Sequence, residues 1–319
     1  AYLNHMERPG IKALCQQAGL QAGQIDATAI SFALAPRLNA AGRMAHARRA
    51  YHLLDTTAHD EADDLAQELE RLNRQRRALT RRTQARARQI ALRSADQAPF
   101  LFAAAADFNP GIVGLAASRL VDDFYRPAAV VEIGEHVSRG SARSIPEFHI
   151  TQALDQCADL LLQYGGHAAA AGFTVANENL EPLVDRLRAL ACEKLSGVEL
   201  KPTLEVDADV PLSQMSWDML RDLARFEPCG YDNAQPLLLS RGVSVFQHRA
   251  VGKDGKHLKL TLTDDRSAQW DGIAFKQGAW ADDLPEQIDI VYHLEINEWQ
   301  GRRNLQLNIQ DLRPSKSGD

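Results

Sequence analysis

The sequence predicts an α/β protein with several domains: a long connecting helix, an α/β domain with a central sheet, and a C-terminal β-barrel. Three observations support this fold class. Residues 59–93 contain neither Gly nor Pro, residues 100–195 alternate between strand-like and helical segments, and the chain after Gly197 consists mostly of short strands separated by turns. A chain of 319 residues is long enough for two or three such domains.

Residues 1–58 are predicted to form short helices, with a break at Pro9-Gly10 and a last helix ending at Leu54. The next helix is long, because apolar residues recur at steps of three or four residues or their multiples, at Leu65, Leu69, Leu72, Leu79 and Ile90. Its first part is acidic, and its second part carries nine arginines from Arg71 to Arg93 and no acid. Two interpretations stay open: a solvated connector whose charges suit the helix dipole, or an arginine face directed at nucleic-acid phosphates.

Strands and helices then alternate. In the α/β domain we predict strands at Phe100–Ala105, Ala128–Ile133, Ser138–Ser144 and Gly172–Val175, and helices at Gly111–Val121, Ile150–Tyr164 and Leu180–Leu195. In the C-terminal part we predict a helix at Trp217–Ala224 and strands at Leu204–Val210, Pro236–Leu239, Val243–Arg249, Leu258–Thr263, Trp270–Phe275, Ile288–Ile296 and Leu305–Leu312. Five short strands of this kind fit an oligonucleotide-binding (OB) barrel, with a generic β-sandwich as the alternative.

The composition, with 45% hydrophobic and 24% charged residues, is typical of a soluble globular protein, and neither a membrane span nor a secretory signal is found. Four widely separated cysteines fit neither a zinc site nor a disulfide framework, so we expect reduced thiols in a cytoplasm. The net charge of −6 does not exclude a nucleic-acid partner, because residues 1–93 carry 15 Lys and Arg against 9 Asp and Glu. The chain opens at Ala1 without Met, and we expect it to be part of a longer protein.

The segment Tyr164–Phe173, with the sequence Tyr-Gly-Gly-His-Ala-Ala-Ala-Ala-Gly-Phe, concentrates minimal side chains around one imidazole. Gly165 and Gly166 allow close backbone approach, and four alanines would keep a helix thin, so that a bulky group could lie against its start. His167 could donate there to a phosphate oxygen or transfer a proton. The alternative is a glycine turn before a buried alanine-rich helix, with His167 satisfied in the core.

Two further segments place hydrogen-bond donors beside small residues. They are Pro36–Arg43, with Arg37, Asn39 and Arg43, and Gly140–Ser144, with Ser141, Arg143 and Ser144. Together with His167 these groups suit an anion with several oxygens, because Arg chelates such an anion while hydroxyls and backbone amides add donors. The carboxylates and histidines that would hold the divalent metals of a phosphodiesterase are not clustered in the sequence. We therefore predict the substrate side of such a site, with no metal ligand in this chain.

These motifs resemble those of a known family. Gly-Gly-His-x-x-Ala-Ala-Gly at 165–172, preceded by Gly-Ser-x-Arg-Ser at 140–144, resembles the DHH-associated domain of the DHH phosphoesterases. Pro-Arg-Leu-Asn-Ala-Ala-Gly-Arg at 36–43, followed by the long helix, narrows the resemblance to the RecJ family of 5′→3′ single-strand-specific DNA exonucleases. Phe226–Pro236 is similar to the start of that family's OB domain, and Asn297–Gly301 is similar to part of its last strands. One departure is Phe108-Asn109, where family members often carry Trp-His.

The resemblance implies a nuclease whose N-terminal DHH domain, with its Mn²⁺ or Mg²⁺ ligands, lies outside this chain. It assigns residues 1–58 to the tail of the DHH domain, 59–93 to the connecting helix, 94–200 to the DHH-associated domain, 201–315 to the OB domain and 316–319 to a tail. It implies a catalytic role at the scissile phosphate for His167, and substrate or phosphate binding by Arg37, Asn39, Arg43, Ser141, Arg143, Ser144, Gly165 and Gly166. In the OB domain, DNA contacts are expected from Lys253, Lys256, Lys259, Trp299, Arg302 and Arg303.

The implied function is the substrate-binding part of a metal-dependent 5′→3′ single-stranded-DNA exonuclease that acts in DNA repair and recombination. We expect this chain alone to be inactive and monomeric and to bind single-stranded DNA, with single-strand-binding protein and a helicase as further partners and no membrane. One alternative is a non-catalytic protein that binds or scaffolds single-stranded nucleic acid, which the retained His167 and Arg143 disfavour. Another is a phosphodiesterase for short oligonucleotides or cyclic dinucleotides, which the OB-like region and the long helix disfavour.

Overall fold

In the computed structural model the chain forms two compact units, residues 1–202 and 203–319. The structure describes residues 2–23, 25–93, 98–230, 232–264, 268–299 and 301–315. The first unit combines a helical layer with a five-stranded sheet, and the second is built mainly of strands. The predicted α/β class with a long helix and a C-terminal barrel is confirmed. Across the described residues, no helix has the length and apolar character needed to cross a membrane.

The first unit begins with helices. After a 3-10 turn at Tyr2–His5, it contains α1 (Pro9–Ala18), α2 (Ala27–Ala29), α3 (Ala35–Met44), α4 (Arg48–Asp55) and α5 (His59–Arg93). Pro9 begins α1, whereas the sequence predicted a break there; the first helical turn tolerates proline because its N–H groups have no partner within the helix. A π-helical turn at Ile30–Leu34 joins α2 to α3.

Helix α5 has the bounds that the sequence predicted, and it contributes to two cores. Its first half buries leucines such as Leu65 and Leu69 among α1, α3 and α4. Its second half buries Ala87 and Ala91 against the first strand of the sheet and the next helix. Apolar burial on both halves fixes the helix firmly to the rest of the unit, since each fully buried leucine contributes roughly 1.5–3 kcal/mol.

The sheet of the first unit is mixed. Its strands are β1 (Leu101–Ala105), β2 (Ala128–Ile133), β3 (Val137–Arg143), β4 (Leu161–His167) and β5 (Ala170–Ala176), in the order β1-β2-β3-β5-β4. Its helices are α6 (Val113–Phe124), α7 (Ile150–Asp155) and α8 (Leu180–Leu195). β1 and β2 are parallel, whereas the pairs β2–β3, β3–β5 and β4–β5 are antiparallel.

The two faces of this sheet are covered differently. On one face, residues such as Phe173 and Val175 pack into a core with α7 and α8. On the other face, α5 and α6 cover β1 and β2, including Val130. The same face of β5 and β4 presents Gly172 and Gly165, both exposed, to solvent. Half of one sheet face is therefore open, beside α6.

The glycine–histidine segment is a β-hairpin, so the predicted helix through Tyr164 is wrong. Helix α7 ends at Asp155, and β4 pairs with β5 up to His167 opposite Ala170. Alanine runs favour helices locally, but the alternate residues of β5 are buried in one core, and such packing overrides intrinsic propensity. His167 therefore ends a strand and does not begin a helix.

The second unit is a closed barrel. Its elements are β6 (Ala208–Asp209), α9 (Trp217–Leu223), β7 (Leu238–Val251), β8 (His257–Thr263), β9 (Gln269–Ala274), β10 (Gln287–Trp299) and β11 (Arg302–Pro314). The pairings run β7-β8-β9-β11-β10 and close from β10 back to β7, which leaves the five barrel strands without a free edge. Inward residues such as Leu260, Tyr292 and Leu307 fill the core. This closure confirms the OB-like barrel and excludes the β-sandwich.

Two strand predictions in the barrel need correction. The predicted strand Pro236–Leu239 contributes only Leu238 and Leu239, which belong with Val243–Arg249 to one long strand, β7. Gly242 continues that strand at φ +60° instead of ending it. The predicted strand Leu204–Val210 contributes only Ala208 and Asp209, which pair in parallel with the start of β7.

Candidate functional site

The uncovered part of the sheet around Gly165 and Gly172 is called the open half-face below. Strand pairing aligns the predicted site residues on it. Arg143 on β3 pairs with Ala170 on β5, and Ala170 pairs with His167 on β4. Directly paired residues project to the same face of a sheet, so Arg143 and His167 share a face with only a methyl group between them. Their backbones are two strand spacings apart, about 10 Å. The structure thus brings together two side chains that lie far apart in sequence.

The next row of paired residues on the same face has almost no side chains. Ser141 on β3 pairs with Gly172, and Gly172 pairs with Gly165. A Cβ atom built on Gly165 meets no atom within 4 Å, and one built on Gly172 meets only the Gly140 carbonyl, at 4.0 Å. The polar atoms of Ser141, Arg143 and His167 therefore border a patch of exposed backbone, where an extended chain could approach the sheet closely.

Gly166 has a different role from Gly165, because it points to the other side of β4. A Cβ at Gly166 would lie 2.3 Å from the Ala170 carbonyl oxygen and 2.5 Å from the Ala171 Cα. These are backbone atoms, which cannot rotate away. Gly166 is thus needed for the close pairing of the hairpin, and Gly165 for the openness of the face.

The guanidinium of Arg143 is held in place from two sides. Its Nη1 donates to the Ser141 Oγ and to the Ala142 carbonyl oxygen, each at 2.8 Å. The first turn of α6 packs beside it, since a Cβ on Gly114 would lie 2.9 Å from Arg143 Nη2. Burial, and secondarily the charge of Arg43, lowers the pKa of Arg143.

Arg43 lies near enough to both Arg76 and Arg143 to affect them by its charge. Arg43, near the end of α3, donates from Nη1 to the Gly111 carbonyl oxygen at 3.2 Å, which ties α3 to the loop before α6. Burial lowers the pKa of Arg76 on α5, and the charge of Arg43 lowers it further. Among the described residues no carboxylate pairs with Arg43, Arg76 or Arg143. Arg43 repels both Arg76 and Arg143, and such an arrangement of guanidiniums suits an anion.

Arg76 was not singled out by the sequence analysis. It was one of nine arginines on a helix, and only the packing of α5 distinguishes it from its neighbours. Its Nη2 donates to Asn73 Oδ1 at 2.9 Å, and Asn73 is itself buried, so this guanidinium is anchored on the side of α5 that faces the protein. By contrast, Arg77 and Arg81 are exposed.

Other predicted site residues make structural contacts. Arg37 lies 2.7 Å from a carboxylate oxygen of Glu70 and donates to the Ala33 carbonyl oxygen at 2.7 Å, so its charge is already balanced. The Ser144 hydroxyl donates to the Phe148 carbonyl oxygen, and its N–H donates to the Ala169 carbonyl oxygen at 2.9 Å. Asn39 is exposed on α3, and no described contact joins it to Arg143 or His167.

The His167 side chain is exposed, whereas its backbone is fixed. The Thr151 hydroxyl donates to the His167 carbonyl oxygen at 2.8 Å, which attaches the hairpin end to α7. In the described part of the chain the imidazole itself makes no hydrogen bond, so both ring nitrogens can face a ligand. The alternative of a core histidine is excluded by this exposure.

The loop before α6 carries the departure at Phe108-Asn109. Asn109 Oδ1 accepts a hydrogen bond from the Gly111 N–H at 2.8 Å, which organises the loop that Arg43 contacts. Phe108 is buried, and the guanidinium of Arg86 lies 5.9 Å from its ring centroid. Asn109 therefore supports the site indirectly, by holding the backbone of the loop that Arg43 contacts.

The DNA-binding residues predicted in the barrel fall into two separate places. Lys253 and Lys256 lie in the turn between β7 and β8, near the end of β9. Arg302 and Arg303 begin β11, about six residues before Ile309, which pairs with Ala274 at that same end of β9. At about 3.3 Å per residue the two groups lie roughly 20 Å apart.

The remaining barrel residues are partly committed to ion pairs. Lys259 Nζ lies 3.7 Å from Asp271, and Arg303 Nε lies 3.8 Å from Glu298. Trp299 ends β10 opposite Arg302, and the position of its side chain lies outside what the structure describes. Within the described residues, no group of three or more His, Cys, Asp or Glu could hold a metal ion.

Comparison with known proteins places two domains in the chain. A DHHA1 domain matches residues 97–193, and a RecJ OB domain matches residues 206–311. The single-stranded-DNA-specific exonuclease RecJ of Bacillus subtilis (strain 168) is 34% identical over 98% of this chain and 40% of its own length. Its namesake from Escherichia coli (strain K12) is 33% identical over 96% of this chain and 55% of its own length. The chain spans about half the length of the curated relatives it matches.

Solved structures agree with this similarity. RecJ from Thermus thermophilus in complex with Mn²⁺ matches with a TM-score of 0.84 and 29% identity, covering 99% of this chain and 45% of that chain. The same protein in complex with Mg²⁺ matches with a TM-score of 0.83. A further exonuclease RecJ bound to manganese is 33% identical over 60% of this chain and 47% of that chain, with a TM-score of 0.52.

Proposed function

Because the chain belongs to the RecJ family, with a DHHA1 domain followed by a RecJ OB domain, we propose that it forms the DNA-holding part of a 5′→3′ exonuclease for single-stranded DNA. The observation that supports this most directly is the row Arg143–Ala170–His167, together with the nearby charge of Arg43 that no described carboxylate balances. The wider roles that follow are DNA repair and recombination, in a cytoplasmic monomer that meets single-strand-binding protein and a helicase on its substrate.

Each group of the open half-face has a distinct task in holding a phosphate. Arg43 and Arg143 supply charge, and an anion between them relieves the repulsion that contributes to the lowered pKa of Arg143. The Ser141 Oγ accepts from Arg143, so its own proton is free to donate to a phosphate oxygen. His167 can donate to the scissile phosphate or hand a proton to the leaving oxygen. The exposed backbone at Gly165 and Gly172 lets the DNA strand come within reach of these groups.

The metals of the reaction would be held elsewhere. The described residues contain no cluster that fits Mn²⁺ or Mg²⁺, whereas the structures of related RecJ proteins carry one or the other. We assign the metal ligands to a DHH domain outside this chain, and the tail of that domain to residues 1–58. A divalent metal supplies charge stabilisation and an activated water. This chain aligns the phosphate.

The test uses a longer protein that includes the DHH domain, with Arg143→Ala and His167→Ala variants and single-turnover cleavage of a 5′-labelled strand at saturating Mn²⁺. We expect each change to slow cleavage about a hundredfold, because loss of one preorganised donor costs on the order of 3 kcal/mol. Thermal stability of the His167 variant should hardly change, because that side chain is exposed. His136→Ala, an exposed histidine on the turn before β3, is the matched control. A folded His167→Ala protein with wild-type turnover would end the proposal for the hairpin.

The absence of a metal cluster in the described residues also suits a non-catalytic protein that only binds single-stranded DNA. The same experiment separates the two functions. Metal-dependent release of mononucleotides by the longer protein supports the exonuclease. Binding without any cleavage, at every metal concentration, supports the non-catalytic alternative.

A further inference from the structure

We propose that Phe275 and His257, at one end of the barrel, form a platform on which a base of single-stranded DNA stacks, with three lysines around it for the adjoining phosphates. The proposal rests on the proposed DNA-holding function and adds a second contact site to it, in the barrel itself. Neither aromatic residue was expected from the sequence to contact DNA.

Phe275 is exposed, and its partner His257 is partly buried. Phe275 follows β9 and has 54% of its surface exposed. Its ring centroid lies 5.3 Å from that of His257, with the ring planes at 78°. Edge-to-face contact of this kind holds two rings together and covers a face of only one of them. With 54% of its surface exposed, Phe275 keeps ring surface available to a flat ligand.

His257 is locked from two further directions. Its Nδ1 accepts a hydrogen bond from the Lys276 N–H at 2.9 Å, which leaves the proton of the neutral ring on Nε2. A Cβ on Gly252 would lie 2.7 Å from His257 Cδ2, so the glycine backbone packs directly against the imidazole. Lys276 has φ +64°, a conformation that non-glycine residues rarely adopt and that aims its N–H back at His257. Such a conformation points to a constrained local structure.

Three lysines lie close to the pair along the chain. Lys253, Lys256 and Lys276 are all exposed or partly exposed within a few residues of the two rings, and Asp254 is the acidic residue of the same turn. The turn is fixed to the barrel, because a Cβ on Gly278 would lie 1.8 Å from the Gly255 carbonyl oxygen and the Gly278 N–H donates to the Lys256 carbonyl oxygen at 3.1 Å. A fixed aromatic face beside lysines is the combination that binds single strands, with the ring taking the base and the lysines the phosphates.

Phe246 provides a matched control on the same barrel. It lies on β7 and has 58% of its surface exposed, much like Phe275. Its neighbour Val245 donates from its N–H to the Glu286 carbonyl oxygen, and no aromatic ring contact holds Phe246 in place among the described residues. Exposure alone therefore does not distinguish the two phenylalanines, whereas ring contact and adjacent lysines do.

The experiment measures binding of the 319-residue chain to fluorescein-labelled oligothymidylate of about 12 nucleotides by anisotropy at low salt. Phe275→Ala should weaken binding about 5- to 150-fold, the equivalent of one lost base stack. Phe275→Tyr, which keeps the ring, and Phe246→Ala should stay within about twofold of wild type. On an oligonucleotide with abasic sites throughout, Phe275→Ala should bind as wild type does.

Charge and stacking are separated by salt. Lys253→Gln and Lys256→Gln should each reduce the slope of log K against log salt by about one, whereas Phe275→Ala should leave the slope unchanged. Equal binding by Phe275→Ala and Phe246→Ala would overturn the platform and leave the Arg143 site intact. If no variant and not even the wild type binds the oligonucleotide at low salt, the platform and the proposed function both fail.

Discussion

The two adjacent glycines of the hairpin offer a sharp test of the site, because the structure gives them opposite roles. Gly165→Ala adds a methyl group to the open half-face, where no atom lies within 4 Å. Gly166→Ala adds the same group on the other side of the strand, 2.3 Å from the Ala170 carbonyl oxygen. The chemical change is identical, so any difference in outcome reports the local geometry.

The expected magnitudes follow from these contacts. Gly166→Ala must shift backbone, and forced overpacking of this kind typically costs about 1–3 kcal/mol. For a unit of about 200 residues that corresponds to a fall in Tm of about 2–12 °C. Gly165→Ala should leave Tm unchanged or raise it slightly, since glycine within a strand is less favourable than alanine by roughly 0.5–1 kcal/mol. The added methyl group should instead hinder the single-stranded DNA from approaching Ser141 and His167.

The assay is a thermal melt of each variant together with single-stranded DNA binding and, in the longer protein, cleavage. Gly165→Ala should keep its Tm and lose binding or rate, and Gly166→Ala should lose Tm first. Gly172→Ala is a second probe of the open face, because its Cβ would meet only the Gly140 carbonyl oxygen, at an ordinary contact distance of 4.0 Å. A destabilised Gly165→Ala protein would refute the hairpin geometry. A stable and fully active one would refute the role of bare backbone in substrate approach.

Two further predictions concern buried groups. Burial raises the pKa of Tyr292 to about 12. The folded state therefore holds the phenolic proton more tightly than the unfolded state does. The free energy of unfolding that this contributes below pH 10 should be lost as the pH rises towards 12. Alkaline melts of Tyr292→Phe should lack that loss, at a cost of about 1 kcal/mol near neutrality for the missing hydrogen bond to Ser240; an unchanged alkaline profile would contradict this. Burial also raises the pKa of Cys157 to about 11, so iodoacetamide at about pH 8 should label exposed Cys192 and spare Cys157 until the protein unfolds. Equal labelling of both cysteines in the folded chain would show that Cys157 is accessible.

The sequence predicted the bounds of an element correctly where one strong periodic pattern dominated. The bounds of α5 follow from 35 residues without a helix breaker, and α8 and β2 follow from clear apolar patterns. The barrel was predictable from the spacing of its strands and turns. The continuity of β7 was not, since a glycine such as Gly242 usually marks a strand end and here continues one.

The hairpin shows why part of the site could not be predicted. A run of four alanines has high helix propensity, and nothing local reveals that Gly140 must lie against the Phe173 ring, where a Cβ would come within 2.1 Å. That contact fixes β3 against β5 and makes the segment a strand. The residue types of the site were recognisable from the motif, whereas the row that joins Arg143 to His167 exists only through pairing across β5.

The long helix illustrates the same dependence on packing. From the sequence, its nine arginines suggested either a solvated connector or a face for phosphates, and the structure gives individual arginines different surroundings. Arg86 pairs with Asp107, and Arg77 and Arg81 face solvent. Arg76 lies near Arg43, because the buried leucines and alanines on either side of it fix the rotation of α5. The rotation of the helix therefore decides which of its arginines lies beside Arg43.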